Sequence, residues 1–111
     1  MARVPGTDRP KLEAKLETIL FELVQTDLHA LPIKLMPTRT GLPDRLVLFP
    51  GGEAHFVELK ADNGRVAPLQ AHQHERLRRL GFFVHVLTGE DEIRSWVARQ
   101  LRIRTMLADV L

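Results

Sequence analysis

Asp44 and Glu58 stand with thirteen residues between them, and Lys60 follows Glu58 by two. Carboxylates brought together can hold a hard divalent cation, and a lysine beside them can steady developing negative charge. That trio implies metal-dependent cleavage of a phosphodiester. Its geometry rests on local structure. Arg45 to Phe49 is apolar and β-prone, and Pro50-Gly51-Gly52-Glu53 is a turn sequence. Ala54 to Lys60 then returns as the second arm of a hairpin. Strand alternation sets Glu58 and Lys60 on one face, roughly 6.5 Å apart along the strand, with Val57 and Leu59 on the other. A glutamate and a lysine flanking Leu59 there need solvent or a polar purpose.

The elements around this hairpin follow from periodicity and punctuation. Pro10 to His29 forms a first helix, with Leu12, Leu16, Leu20, Leu23 and Val24 as its apolar stripe. Glu13 and Glu17 are four apart and share a face beside that stripe. Pro32 ends the helix. Ile33 to Met36, carrying Lys34, is a short strand, and Pro37 to Gly41 a turn. Ala61 to Val66, with Asn63-Gly64, is a polar loop. Pro68 opens a second helix to about Leu80. Leu69, Gln73, Leu77 and Leu80 line one side of it, Gln70 and His74 an adjacent side. Gly81 suits the residue just past the helix end. Phe82 to Leu87 is a strand, and Asp91 to at least Leu101 a third helix with Ile93, Trp96, Val97 and Leu101 on one face. The order αβββαβα contains a strand-helix-strand unit, which favours a right-handed parallel crossover. The expected architecture is α/β: a mixed sheet with flanking helices.

The chain of 111 residues is expected to form one domain over residues 10–111, after a disordered N-terminus of residues 1–9. It contains no cysteine, which excludes disulfide frameworks and cysteine-based zinc sites. No signal peptide or membrane span is visible, so a cytoplasmic setting is expected. The net charge is only +2, but Arg76, Arg78, Arg79, Arg94, Arg99, Arg102 and Arg104 crowd the C-terminal third. They make either a basic face for a phosphate backbone or a solvated helix surface. His72 and His74 do not share a helix face and are poor co-ligands, and His55 faces away from Glu58. Trp96 and Phe56 are expected in the core.

Taken together, Gly41-Leu42-Pro43-Asp44-Arg45, Phe56-Val57-Glu58-Leu59-Lys60, Gln70 and Gly81 resemble the VRR-NUC family of the PD-(D/E)XK nuclease superfamily. The likeness runs from roughly Leu12 to Ile93 and implies a restriction endonuclease-like fold. By resemblance, Asp44 and Glu58 are metal ligands, and Leu59 offers its backbone carbonyl. Lys60 orients the attacking water or steadies the phosphate. Gln70 is the helix glutamine beside the site. Glu13 is the first-helix carboxylate, acting directly or through water, with Glu17 as the alternative one turn on. Lys34, Arg39, Arg45 and Arg76 are the implied DNA contacts. Ala67 departs from the family, whose members often place a capping serine there.

The resemblance implies an endodeoxyribonuclease using Mg²⁺ or Mn²⁺ on junction, flap or nicked DNA. It further implies a homodimer of the stand-alone phage or prophage type, working in a bacterial cytoplasm. Two alternatives belong to other classes. One is a non-catalytic DNA-binding module on the same fold. The other is an interaction protein whose arginine-rich last helix binds a partner.

Overall fold

A computed structural model describes residues 9–36, 40–61 and 65–110. The elements follow in the order α1 (Arg9–Thr26), β1 (Leu31–Lys34), β2 (Arg45–Leu48), β3 (Ala54–Lys60), α2 (Pro68–Arg79), β4 (Phe83–Thr88) and α3 (Gly89–Val110). This is the expected αβββαβα sequence. Residues 1–8, Arg39 and the Asn63-Gly64 pair lie outside the described residues.

The sheet order is β1-β2-β3-β4, antiparallel across the first two pairings and parallel across the third. The short Phe49–Glu53 turn permits only an antiparallel return, closed by Phe49 N–H donating to the Glu53 carbonyl at 2.8 Å. The parallel β3–β4 step needs a crossover, and α2 supplies it. Leu16, Leu20 and Val24 of α1 and Ile93, Trp96 and Val97 of α3 pack together on one face of the sheet. They meet Val47, Phe49, Val57, Leu59 and Leu87 in a single core. Trp96 is fully buried there, as expected. Phe56 lies on the other face, half-buried, edge-on to Phe82.

Two expectations need correction. First, α1 ends at Thr26 rather than His29. His29 has a left-handed φ of 52°, and Ala30 N–H donates to the Val24 carbonyl at 2.9 Å, turning the chain sharply. Second, β1 therefore begins at Leu31, and Pro32 lies inside it opposite Val47. An edge strand tolerates proline, because the missing N–H can face solvent. The leucine side of α2 does not meet the sheet. Leu69 and Leu80 are exposed, and His74 is the residue of α2 that is buried. An apolar helix face laid over Glu58 and Lys60 would strand their polar groups. The Gln70–His74 side covers them instead.

The α2 terminus formed as expected. Gly81 has φ 97°, Phe82 N–H donates to the Leu77 carbonyl at 3.1 Å, and Gly81 N–H to that of Arg78 at 2.9 Å. This is the left-handed glycine exit of a Schellman motif. Among the described residues no helix is long and apolar enough to cross a membrane.

Candidate active site

Arg45 pairs with Val57 at the end of the β2–β3 ladder, and one further step of that register sets Asp44 opposite Glu58. Directly opposed residues project to the same face, so the hairpin brings the two carboxylates together. Asp44 itself occupies a bend just before β2, where its carbonyl accepts from Leu35 N–H at 2.6 Å. Gly41 explains the glycine ahead of Pro43-Asp44. Its φ is +79°, and a Cβ there would lie 2.9 Å from Leu69 Cγ and 3.0 Å from the Leu69 carbonyl carbon. Glycine thus lets the Asp44 loop lie directly on the start of α2.

Glu58 is 8% exposed. Its Oε2 lies 3.9 Å from Lys60 Nζ, and Lys60 donates to Gln70 Oε1 at 3.1 Å. The same Gln70 oxygen accepts from Ala67 N–H at 3.1 Å. Gln70 therefore does two jobs: it holds the lysine and completes the N-terminus of α2. That return bond compensates for Ala67, whose methyl group cannot cap. Burial pushes the Glu58 carboxyl upward. Lys60 and Arg45 oppose that rise, while Asp44 and Glu13 add to it. Three carboxylates thus share one field at the end of β3.

Between the two first-helix candidates the structure discriminates. Glu17 Oε1 accepts from Arg45 Nε at 3.1 Å and lies 3.5 Å from Lys34 Nζ, so it is committed to cations. Glu13, one turn earlier and half-buried, is the residue that bears on Glu58.

Arg45 differs from the expected DNA contact. It is 5% exposed, and its Nη1 donates to Asp44 Oδ1 at 2.7 Å while its Nε holds Glu17. A guanidinium buried between two carboxylates is not presented to an incoming phosphate. Lys34 remains largely exposed despite its ion pair with Glu17. Arg76 is exposed beside a cleft of about 290 Å³ formed with Thr40, Leu42, Gln73, Leu77 and Leu80.

The chemistry of the donors suits a hard cation. Asp44, Glu58 and the Leu59 carbonyl offer only oxygen, the preference of Mg²⁺ and Mn²⁺. Among the described residues no three His, Cys, Asp or Glu side chains converge to hold an ion by themselves. Mg²⁺ does not require it, since it retains several waters. Two carboxylates and a carbonyl therefore fit such a cation, and Glu13 is near enough to add to its negative field.

Two features escaped the sequence reading. His74 is 2% exposed, its Nε2 without a partner among the described residues; burial, with Arg78 and Lys60 adding, holds its pKa down and keeps it neutral. On the opposite face of the sheet, His55 Nδ1 and His85 Nε2 are 2.8 Å apart, and His55 Nε2 is 2.5 Å from Glu53 Oε1. Arg104 donates to that same oxygen at 3.2 Å. The polar identity of these residues was visible, but only the register of β3 on β4 joins His55 to this network.

Comparison with known proteins bears on the family and the fold. The profile of the VRR-NUC domain matches residues 3–91. A protein named "Putative nuclease p44", of Acyrthosiphon pisum secondary endosymbiont phage 1, is 47% identical over 55 residues. That match spans 50% of this chain and 59% of the phage protein's own length. A solved structure titled "VRR_NUC domain" superposes with a TM-score of 0.71 at 31% identity, covering 78% of this chain and 95% of that one. A second, titled "VRR_NUC domain protein", gives a TM-score of 0.65 at 16% identity, covers 89% and 92% of the two chains, and speaks to the fold alone. The four-stranded mixed sheet with helices on both faces is the restriction endonuclease-like fold. This chain belongs to the VRR-NUC domain family.

Proposed function

We propose that the protein is an Mg²⁺- or Mn²⁺-dependent endonuclease that cleaves DNA phosphodiesters, selecting junction, flap or nicked substrates, and that it works as a homodimer in a phage or prophage setting. The observation that carries the reading is the opposition of Asp44 and Glu58 beside a lysine held by Gln70. A divalent cation held by Asp44, Glu58 and the Leu59 carbonyl would polarise the scissile phosphate and acidify a water. Lys60 places a fixed positive charge where the pentavalent phosphorus gathers negative charge. Gln70 fixes its direction, so little reorganisation is needed during reaction. Glu13 adds negative potential at Glu58, which raises that carboxyl's pKa and would likewise draw a cation to the site. Lys34 and Arg76, both exposed, are the proposed phosphate contacts among the described residues, and Arg39, outside them, is a third.

The test uses junction, flap, nicked and supercoiled DNA with Mg²⁺ or Mn²⁺. Asp44→Asn and Lys60→Ala should each lower cleavage by about 10²-fold or more, the scale of losing one preorganised charge-stabilising group. Absence of cleavage by the wild type, or cleavage at the wild-type level by either variant, would overturn the reading. The non-catalytic DNA-binding alternative draws on one observation, the Arg45–Asp44 ion pair, which engages one of the two metal-site carboxylates. Metal titration calorimetry separates the two: a catalytic site takes up Mn²⁺ and loses it in Asp44→Asn.

A further inference from the structure

β4 is one edge of the sheet, and its sequence has neither the proline nor the lysine that commonly blunts an exposed edge. Side chains hold its two ends instead. Arg78 Nη2 donates to the Val84 carbonyl at 2.9 Å, and Thr88 N–H donates to Glu92 Oε2 at 2.5 Å. Main-chain groups two residues apart in a strand point the same way. Val84, Val86 and Thr88 therefore direct theirs to the free edge, and those of Val86 lie between the two capped ends.

A second β4 laid antiparallel, with Val86 opposite Val86, would place Val84 opposite Thr88 of the other copy. Val86 would then exchange both its hydrogen bonds with its counterpart. The carbonyl now held by Arg78 would meet the N–H now held by Glu92. The two displaced caps have opposite charges and would come together at the same place. An edge whose caps complement each other is built for its own copy.

The helix beside this edge has the same symmetry. Asp91, Ser95 and Arg99 are spaced by four, all exposed, and form one face of α3. With β4 residues 84–87 they line a groove of about 470 Å³. Trp96 also lines it, and its buried indole N–H has no acceptor among the described residues. Glu92 marks the Thr88 end of the groove, and Arg99 lies near enough to His85 to disfavour its charge. The groove therefore runs from acidic through a small residue to basic. A two-fold axis requires such self-complementary order.

We propose that a second copy of this chain docks on the β4 edge, about a two-fold axis passing Val86 and Ser95, joining two four-stranded sheets into one and pairing Asp91 of each copy with Arg99 of the other. The inference rests on the homodimer reading above and names its surface. Because that axis stands perpendicular to the sheet, Glu58 and Lys60 of both copies stay on the same face.

The chain has no native cysteine, so single thiols report cleanly on proximity. In the full-length protein, Ser95→Cys treated with a short bis-maleimide should give a covalent dimer, and Thr18→Cys, exposed on α1, should not. By sedimentation velocity, Asp91→Arg and Arg99→Asp should each weaken dimerisation roughly 10-fold or more, since symmetry turns two attractions into two repulsions. The combined variant should recover most of the loss. A wild-type dimer with no cross-link through Ser95→Cys and no recovery in the combined variant would overturn this surface while leaving the homodimer. A wild-type chain that stays monomeric at every concentration would overturn both. Neither readout depends on DNA cleavage.

Discussion

Mild acid should loosen this fold through the histidine pair beneath α3, and the size of the effect can be worked out. Burial holds the His85 pKa down to about 4, with His55, Arg78 and Arg99 adding in the same direction. Unfolding returns it to its ordinary value of 6.5. Between those values the unfolded chain binds more protons than the folded one, so stability falls as pH falls. Each pH unit of separation is worth about 1.36 kcal/mol, which sets a ceiling of about 3.4 kcal/mol below pH 4. Between pH 7 and pH 4.5 about 2 kcal/mol should be lost, a large share of the 5–15 kcal/mol typical of a domain.

Other groups add to or offset this slope. His55, lowered chiefly by burial against the pull of Glu53, acts in the same direction, as does His74. Glu53, lowered chiefly by its His55 hydrogen bond, adds its own loss as pH falls below the ordinary carboxylate range. Glu58 is raised, so the folded state takes its proton first and acid through that range is slightly stabilising. The His85→Gln variant isolates the main contribution, because its amide can still donate to His55 Nδ1. The assay is urea unfolding of wild type and variant at steps from pH 7 to pH 4.5. The variant should start roughly 1–3 kcal/mol less stable at pH 7 and then lose less on acidification. A wild-type stability flat between pH 7 and pH 5, or equal slopes in both proteins, would refute the reasoning.

Three further outcomes can be measured. Gly41→Ala forces a side chain into a left-handed backbone against Leu69, so thermal unfolding should show a loss of about 1–3 kcal/mol, with weaker Mn²⁺ uptake as the Asp44 loop shifts. Arg45→Leu leaves Glu17 and Asp44 without their buried cation and should cost roughly 3 kcal/mol in urea unfolding; a loss of DNA affinity with unchanged stability would instead make Arg45 a phosphate contact. Leu20→Ala, at a fully buried position between α1 and the sheet, should cost about 2–5 kcal/mol by the same measurement while leaving metal uptake intact.

Much of the site could be located before any coordinates. A turn sequence and strand alternation, both local rules, set Asp44, Glu58 and Lys60 on one hairpin, while the place of Gln70 beside them was implied by the family resemblance. The helix of His74 was legible too, but its burial was not. Periodicity marks the leucine side of α2 as apolar, while the sheet beneath it carries Glu58 and Lys60 and selects the polar side. Whether Glu13 or Glu17 faces Glu58 was open for a similar reason. The two glutamates share a helix face, and only the position of Arg45 and Lys34 decides which one is engaged elsewhere.

The sequence by itself determined the element order and the hairpin, because each follows from contacts within a few residues along the chain. Tertiary structure alone decided the rest. It buried Arg45 between Asp44 and Glu17, joined His55 to His85 through the parallel β3–β4 register, and left β4 as an edge capped by opposite charges. Those outcomes depend on which strands become neighbours and which helix faces meet them. Such long-range choices are made by burial and polar satisfaction across the whole domain, and no local window contains them.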